Sequence, residues 1–230
     1  MCMNEIINID QIILLLLNGS HSLYADTLMT VLTNAFTWVP LYLALIFVII
    51  KNNETMPQIL LAIGGALLCI LITDLIADVI VKPYVERWRP TQDPFIKYSV
   101  DVVNGMRETK YGFFSAHAAN TFGIAVFVSL LVRSKILTWM MVLWSILNCY
   151  TRIYLGVHYP GDILVGLLCG AVVGVLVYLA YFKIYKKISP NLNYISTQYT
   201  STGYSHNDIH LVFNVMMYTL VVVSICAVFV

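Results

Sequence analysis

Apolar stretches long enough to cross a bilayer recur along this chain, and they decide most of what it can fold into. A transmembrane helix needs about 20 largely apolar residues. Runs of that kind lie near residues 27–50, 58–80, 113–132, 136–153, 163–182 and 211–230. Only 11% of the residues are charged and 60% are hydrophobic, where a soluble domain carries roughly a quarter charged residues. The expected fold is all-α, a polytopic membrane bundle of about six transmembrane helices.

The runs differ in quality. The first is interrupted by Thr33, Asn34, Thr37 and Pro40, which predicts a kink near Pro40. The stretch 6–17 is too short to span and ends at Asn18-Gly19-Ser20, so it reads as a helix lying in the membrane interface. Residues 82–112 form a polar, aromatic-rich loop, long enough to be partly helical and functional. Residues 1–182 are expected to form the core, 183–208 a polar linker and 209–230 a separable C-terminal transmembrane helix. There is no internal repeat. Cys2, Cys69, Cys149, Cys169 and Cys226 have no CxxC or zinc-like spacing and read as small apolar fillers. Glu5 and Asp10 stand where a cleavable signal would carry basic residues.

Charge is costly inside a bilayer, so ionisable residues at the ends of such runs are functional candidates. Three blocks carry them: Lys82-x6-Arg89-Pro90, Phe114-Ser115-Ala116-His117, and Thr151-Arg152-x5-His158-x3-Asp162. His158 and Asp162 are spaced to meet on one helical face. A carboxylate beside an imidazole fixes its tautomer and leaves the other nitrogen free to attack, although such a pair can also simply support a helix start. Lys82, Arg89 and Arg152 supply the fixed positive charge that a phosphoryl group requires. Lone cations such as Arg87, Lys97 and Lys183 read instead as interfacial anchors. Ser115 and the Ala116 N–H open a helix, where anions bind. Ser115 can cap that helix at the same time. His117 is placed to act as a general acid. Asp74 and Asp78 share a face with Lys82 and read as structural charge partners rather than catalytic groups. Tyr111, Phe113 and Phe114 read as an interfacial aromatic belt.

Alternating the spans puts all three blocks and the N-terminus at one membrane face, where the active site is expected. The opposite face holds Lys51, Arg133, Lys135, Lys183, Lys186 and Lys187 against Glu54 and Asp208. The site face carries Arg87, Lys97, Arg107 and Lys110 offset by Glu86, Asp93, Asp101 and Glu108. With the motif cations set aside as functional, the positive-inside bias puts the lysine-rich face in the cytoplasm and the site outside.

The blocks resemble the type-2 phosphatidic acid phosphatase superfamily, the integral lipid phosphate phosphatases, whose signature is Lys-x6-Arg-Pro, Pro-Ser-Gly-His and Ser-Arg-x5-His-x3-Asp. The resemblance covers residues 71–170. It implies His158 as a nucleophile forming a phosphohistidine, Asp162 as its orienter and His117 as the general acid. It further implies Lys82, Arg89, Ser115, Ala116 and Arg152 as phosphate-binding groups, with no metal and no other cofactor. Phe114 stands in place of Pro, Ala116 of Gly and Thr151 of Ser. Ala116 keeps its backbone donor but resists positive φ, and Thr151 keeps a hydroxyl.

The expected function is hydrolysis of a lipid phosphate or diphosphate, with undecaprenyl diphosphate or lipid A as leading substrates and phosphatidic acid or phosphatidylglycerol phosphate as others. The setting would be a bacterial inner membrane with the site facing the periplasm. The partners implied are the lipid substrate and the bilayer, and no nucleic acid. A phosphotransferase on the same scaffold is one alternative. A non-enzymatic phospholipid binder or transporter is another, but it gives no reason for the His158–Asp162 spacing.

Overall fold

The structure is a computed structural model, and it describes residues 3–20, 22–189 and 197–229. Among these residues the regular elements are helices: α1 (Met3–Leu17), α2 (Leu23–Leu32), α3 (Val39–Lys51), α4 (Met56–Asp74), α5 (Lys82–Val85), α6 (Ala116–Val132), α7 (Lys135–Tyr154), α8 (Pro160–Ile188) and α9 (His206–Cys226). Four helical segments are long and apolar enough to cross a membrane, or five if the bent pair of residues 23–51 makes one span. The apolar α6 is shorter than that class. The chain is thus an integral membrane helical bundle, with four to five spans by length and composition where about six were expected.

The first span breaks ahead of the expected place. Its two parts meet at 69°, and the break lies at Thr33–Asn34, not at Pro40. Asn34 Oδ1 accepts from Phe36 N at 3.0 Å and opens the 3-10 turn Ala35–Trp38. Pro40 sits in the first turn of α3, where its missing N–H costs nothing. Trp38 then folds back, its Nε1 donating to Leu32 O at 2.9 Å.

α6 is the centre of the bundle, packed by α8, α7 and α4. Its contact with α8 is backbone-close. A Cβ at Gly166 would lie 2.6 Å from Ser115 O, one at Gly170 2.4 Å from Ala119 O, and one at Gly174 2.7 Å from Gly123 O. Small residues at this spacing let membrane helices approach through van der Waals contact. The result holds the start of α6, with Ser115 and His117, against the start of α8, with Asp162. Below this seam Trp144 packs edge-on against Trp38 and Tyr42 at ring distances of 5.8 and 6.1 Å.

α1 does more than lie in the interface. Leu14 is fully buried, and Asn18 ties the helix end to the site loops, donating to Tyr154 O at 2.8 Å and accepting from Asp101 N at 2.7 Å. Its other face stays exposed through Ile12 and Leu16. At the far end α9 packs mainly on α3, and Lys51 pairs with Asp208 at 2.6 Å. α8 continues through Lys183 to Ile188, so the first part of the expected linker is helical. Residues 190–196 of that linker lie outside the described residues, as do Cys2 and Val230.

Candidate active site

His158 stands in the short connection between α7 and α8, at the end of the bundle that also carries α1 and the loop of residues 86–115. Gly156 makes the turn that reaches it, with φ +67, a conformation glycine adopts without penalty. Pro160 and Asp162 then begin α8. Asp162 Oδ2 accepts from Tyr159 N at 3.1 Å and from His158 Nδ1–H at 3.4 Å. One carboxylate therefore caps the helix and orients the imidazole. Both side chains are buried, His158 2% and Asp162 0% exposed.

With Nδ1–H turned to Asp162, Nε2 carries the lone pair. Arg89 Nη1 donates to it at 2.9 Å and to Val157 O at 3.0 Å. Burial first, and then the positive charges of Arg89 and Arg152, hold the His158 imidazole well below its ordinary range. It is neutral at pH 7, the state a nucleophile needs.

The loop that delivers Arg89 is a short paired hairpin. Arg89 N donates to Lys110 O at 3.0 Å and Gly112 N to Arg87 O at 2.9 Å, around a bridge between Trp88 and Tyr111. In such extended chain alternate residues share a face, so Arg87 and Arg89 turn inward together while Trp88 is exposed. A Cβ on Gly112 would lie 2.8 Å from Arg89 Cγ, so only glycine lets the strands close this tightly. Beyond α5 and the turn Val103–Gly105 the loop has little helix.

Arg87, read from sequence as an anchor, proves to be a second positioning cation. Its Nη1 donates to Asp162 Oδ1 at 2.6 Å and its Nη2 to Asp10 Oδ2 at 2.5 Å. Asp10 in turn accepts from Gly161 N at 2.7 Å. The guanidinium lies 4.3 Å from the Tyr159 ring centre. A buried carboxylate is costly unless paired, and this relay of Asp10, Arg87 and Asp162 supplies the pairing.

Arg152, at the last turn of α7, points into the same space. Its Nη1 donates to Thr33 Oγ1 at 2.8 Å, and the broken first span is what exposes that hydroxyl to it. Its Nη2 pairs with Glu108, whose other oxygen lies 2.9 Å from Arg89 Nη1. Burial pushes the Glu108 carboxyl up, but Arg152 and Arg89 outweigh it and the net direction is down. Glu108 thus sits as an anion between two of the expected phosphate-binding cations. Sequence reading counted it only as an offsetting charge.

The second block frames the other side. Ser115 Oγ caps α6 by accepting from Ala118 N at 3.3 Å, which leaves its O–H to donate. Ser115 N donates to Asp162 O at 3.2 Å, joining the second and third blocks. His117 Nε2–H donates to Asn148 Oδ1 at 3.4 Å, leaving Nδ1 as its second protonation site. Lys82 pairs with Asp78 and lines the polar mouth together with Arg89, Glu108 and Lys110. Asp74 accepts from Asn120 Nδ2 at 2.7 Å. All eight expected site residues therefore gather at one end of the bundle, with Lys82 at the rim.

Two comparisons decide the family. The model of the PAP2 superfamily matches residues 59–186, a stretch that holds all three blocks. A lipid A 4'-phosphatase of Bacteroides thetaiotaomicron is 38% identical over 179 residues, covering 77% of this chain and 79% of that protein. The chain belongs to the PAP2 superfamily. A lipid A 4'-phosphatase of Porphyromonas gingivalis is 36% identical over 182 residues, covering 78% of this chain and 75% of that one. Two crystal structures share the fold. Aquifex aeolicus LpxE has a TM-score of 0.56 and 23% identity, covering 72% of this chain and 92% of its own. A PAP2-type phosphatidylglycerolphosphate phosphatase of Bacillus subtilis has 0.59 and 21%, covering 81% and 89%. The expectation of a membrane lipid phosphatase of this type is met.

The three departures from the family signature are accommodated. Ala116 opens α6 as its first residue and is not among the positive-φ residues. Thr151 Oγ1 turns back to Asn148 O at 2.7 Å. Phe114 is buried at 3% exposure against Ala77 and Ala119, so it belongs to the packing under the site and not to an interfacial belt.

Proposed function

We propose that this protein hydrolyses a phosphate of lipid A, the lipid its relatives are named for, through a phosphohistidine on His158. The observation that carries the reading is the buried Nε2 of His158 beside two arginines that share a carboxylate. Glu108 occupies the place where a phosphate would be held. Arg89 Nε and Arg152 Nε are buried without partners among the described residues. Buried donors are normally paired, so an acceptor arriving with the substrate accounts for them.

Substrate phosphate displaces Glu108 and draws Arg89 off the His158 lone pair. Nε2 attacks phosphorus, the bond from phosphorus to the lipid oxygen breaks, and His117 gives that oxygen a proton. Asp162 and Arg87 keep the imidazolium oriented as its charge forms. Water then attacks the phosphohistidine with its proton going to the now neutral His117, the P–N bond breaks and phosphate leaves. Lys82, Arg89, Arg152, Ser115 and the Ala116 N–H stabilise the equatorial oxygens throughout. The protein meets the phosphate charge with its own cations, so turnover unaffected by EDTA is expected.

The site end of the bundle faces the outside of a bacterial inner membrane in this reading, with the lysine-rich end in the cytoplasm. The test is phosphate release by purified protein in detergent, offered lipid A, undecaprenyl diphosphate and phosphatidic acid in parallel. Lipid A is expected to be turned over fastest. Faster release from undecaprenyl diphosphate would overturn the substrate assignment and leave the mechanism standing. Retention of phosphoryl groups on an added acceptor, without free phosphate, would indicate a transferase.

A further inference from the structure

An apolar groove of about 430 Å³ descends from His117 between α3, α4 and α6. Along α6 it is lined by His117, Asn120, Ile124 and Val128. Ala66 and Leu67 of α4 and Ile46 of α3 form its sides, and Trp144 of α7 also lines it. Its polar groups stand at one end only. Asn120 is held by Asp74 at 2.7 Å and by Thr73, and Thr121 by Ser145 at 2.9 Å. His117 is the groove residue that also belongs to the site.

Three observations point to one occupant. The first is length. His117 and Val128 are eleven residues apart on one helix, roughly 16 Å at 1.5 Å per residue. The hydrocarbon core of a bilayer is about 30 Å thick, so the groove is as deep as one leaflet. The second is access. Leu67 and Ile46 on its sides are 61% and 37% exposed, while Trp144 and Val128 are buried at 0% and 3%. The groove therefore opens sideways, toward the lipid and not toward water.

The third is chemistry, and it rests on the phosphatase reading above. The general acid must touch the oxygen that leaves with the lipid, so the lipid part of the substrate begins at His117. A second apolar groove, of about 540 Å³ between α1 and α8, ends at Asp10 and Arg87. Those residues lie behind Asp162, away from the leaving oxygen.

We propose that the groove below His117 binds one hydrocarbon chain of the lipid phosphate while its phosphate rests on His158. Hydrocarbon passing from the bilayer to this groove exchanges one apolar setting for another, so the gain is in positioning more than in burial. The chain fixes the leaving oxygen against His117, and its loss appears in kcat/KM for acylated substrate alone.

The test compares lipid A with its fully de-acylated headgroup, the diphosphorylated glucosamine disaccharide. Ala66→Phe fills the groove midway, and Ala66→Gly serves as the conservative control. Ala66→Phe is expected to lower kcat/KM for lipid A at least tenfold while leaving the de-acylated headgroup within twofold. Unchanged turnover of lipid A by Ala66→Phe would overturn the proposal. A second measurement covers a general defect in that variant. Lipid A carrying a diazirine on an acyl chain is photolysed on the His158→Ala protein in detergent. Label on α3, α4 or α6 residues of the groove supports the site, and label confined to the α1–α8 groove overturns it. If the wild type releases phosphate from neither substrate, the phosphatase reading itself fails and the groove assignment goes with it.

Discussion

Arg89 Nη1 lies 2.9 Å from His158 Nε2, so the cation expected to hold the phosphate covers the lone pair expected to attack it. The same nitrogen is 2.9 Å from Glu108. The arginine is therefore shared between a nucleophile and a resident anion, and a phosphate that wins it away uncovers the nucleophile in the same movement.

Glu108 is then a competitor for its own site. Replacing it with Gln keeps the shape and removes the charge. Inorganic phosphate is expected to inhibit Glu108→Gln about tenfold more tightly, a difference of about 1.4 kcal/mol. Product inhibition curves measure this directly. Weaker inhibition in the variant would mean that Glu108 assists phosphate binding instead.

The relay from Asp10 through Arg87 to Asp162 makes a stability prediction. Arg87→Ala leaves Asp162, fully buried, without its cation. Breaking a buried pair in this way costs about 3–5 kcal/mol. A lower unfolding temperature in detergent is expected, together with a kcat loss that Arg87→Lys partly restores. Asp10→Asn should be milder, because Arg87 keeps Asp162.

How much of this was legible in the sequence differs by residue. The spacing of His158 and Asp162, and of Lys82 and Arg89, was readable because a helical repeat and a phosphate's charge both constrain it. Arg87 and Glu108 were not, because their partners lie far off in sequence and appear only when the loop folds over. One signal was available for Arg87, the alternation in Arg87-Trp88-Arg89, which turns both cations to one side if the segment is extended. Another was Gly166-x3-Gly170-x3-Gly174, which marks the α8 face that approaches α6. The kink was misplaced because Pro40 is a strong breaker in a helix interior but is accepted in a first turn, while Thr33 is needed by Arg152.

The glycine seam can be tested without touching the site chemistry. A Cβ at Gly170 would lie 2.4 Å from Ala119 O, a backbone atom that cannot rotate away. Gly170→Val is expected to separate α6 from α8 and draw Ser115 and His117 from Asp162. A kcat drop of about tenfold or more is the expected reading, with lower thermal stability. Full activity would show that the seam does not set the site geometry.

The pH profile carries a sign. The folded protein holds His158 below its ordinary imidazole range, so the unfolded chain binds the proton first as pH falls. Stability from this group is therefore present above about pH 6.5, the ordinary value, and is lost on acidification below it. Activity follows the same group, so the acid limb of kcat/KM is expected below about pH 6.5. An acid limb at or above the ordinary histidine value would contradict the burial of a neutral nucleophile.

Orientation is open to a labelling test. Tyr98 is 89% exposed in the site-end loop. In a cysteine-free background, Tyr98→Cys is expected to react with a membrane-impermeant maleimide in intact cells, and a cysteine at Lys186 only after lysis. The reverse pattern would turn the protein over.

The central claim is that phosphate passes through His158, and trapping tests it most directly. Protein mixed with lipid A labelled in its phosphate is quenched in milliseconds and mapped by mass spectrometry. An acid-labile, alkali-stable phosphoryl group on His158, absent from His158→Ala along with turnover, is the expected result. Phosphate release by His158→Ala at a rate near the wild type's would contradict it.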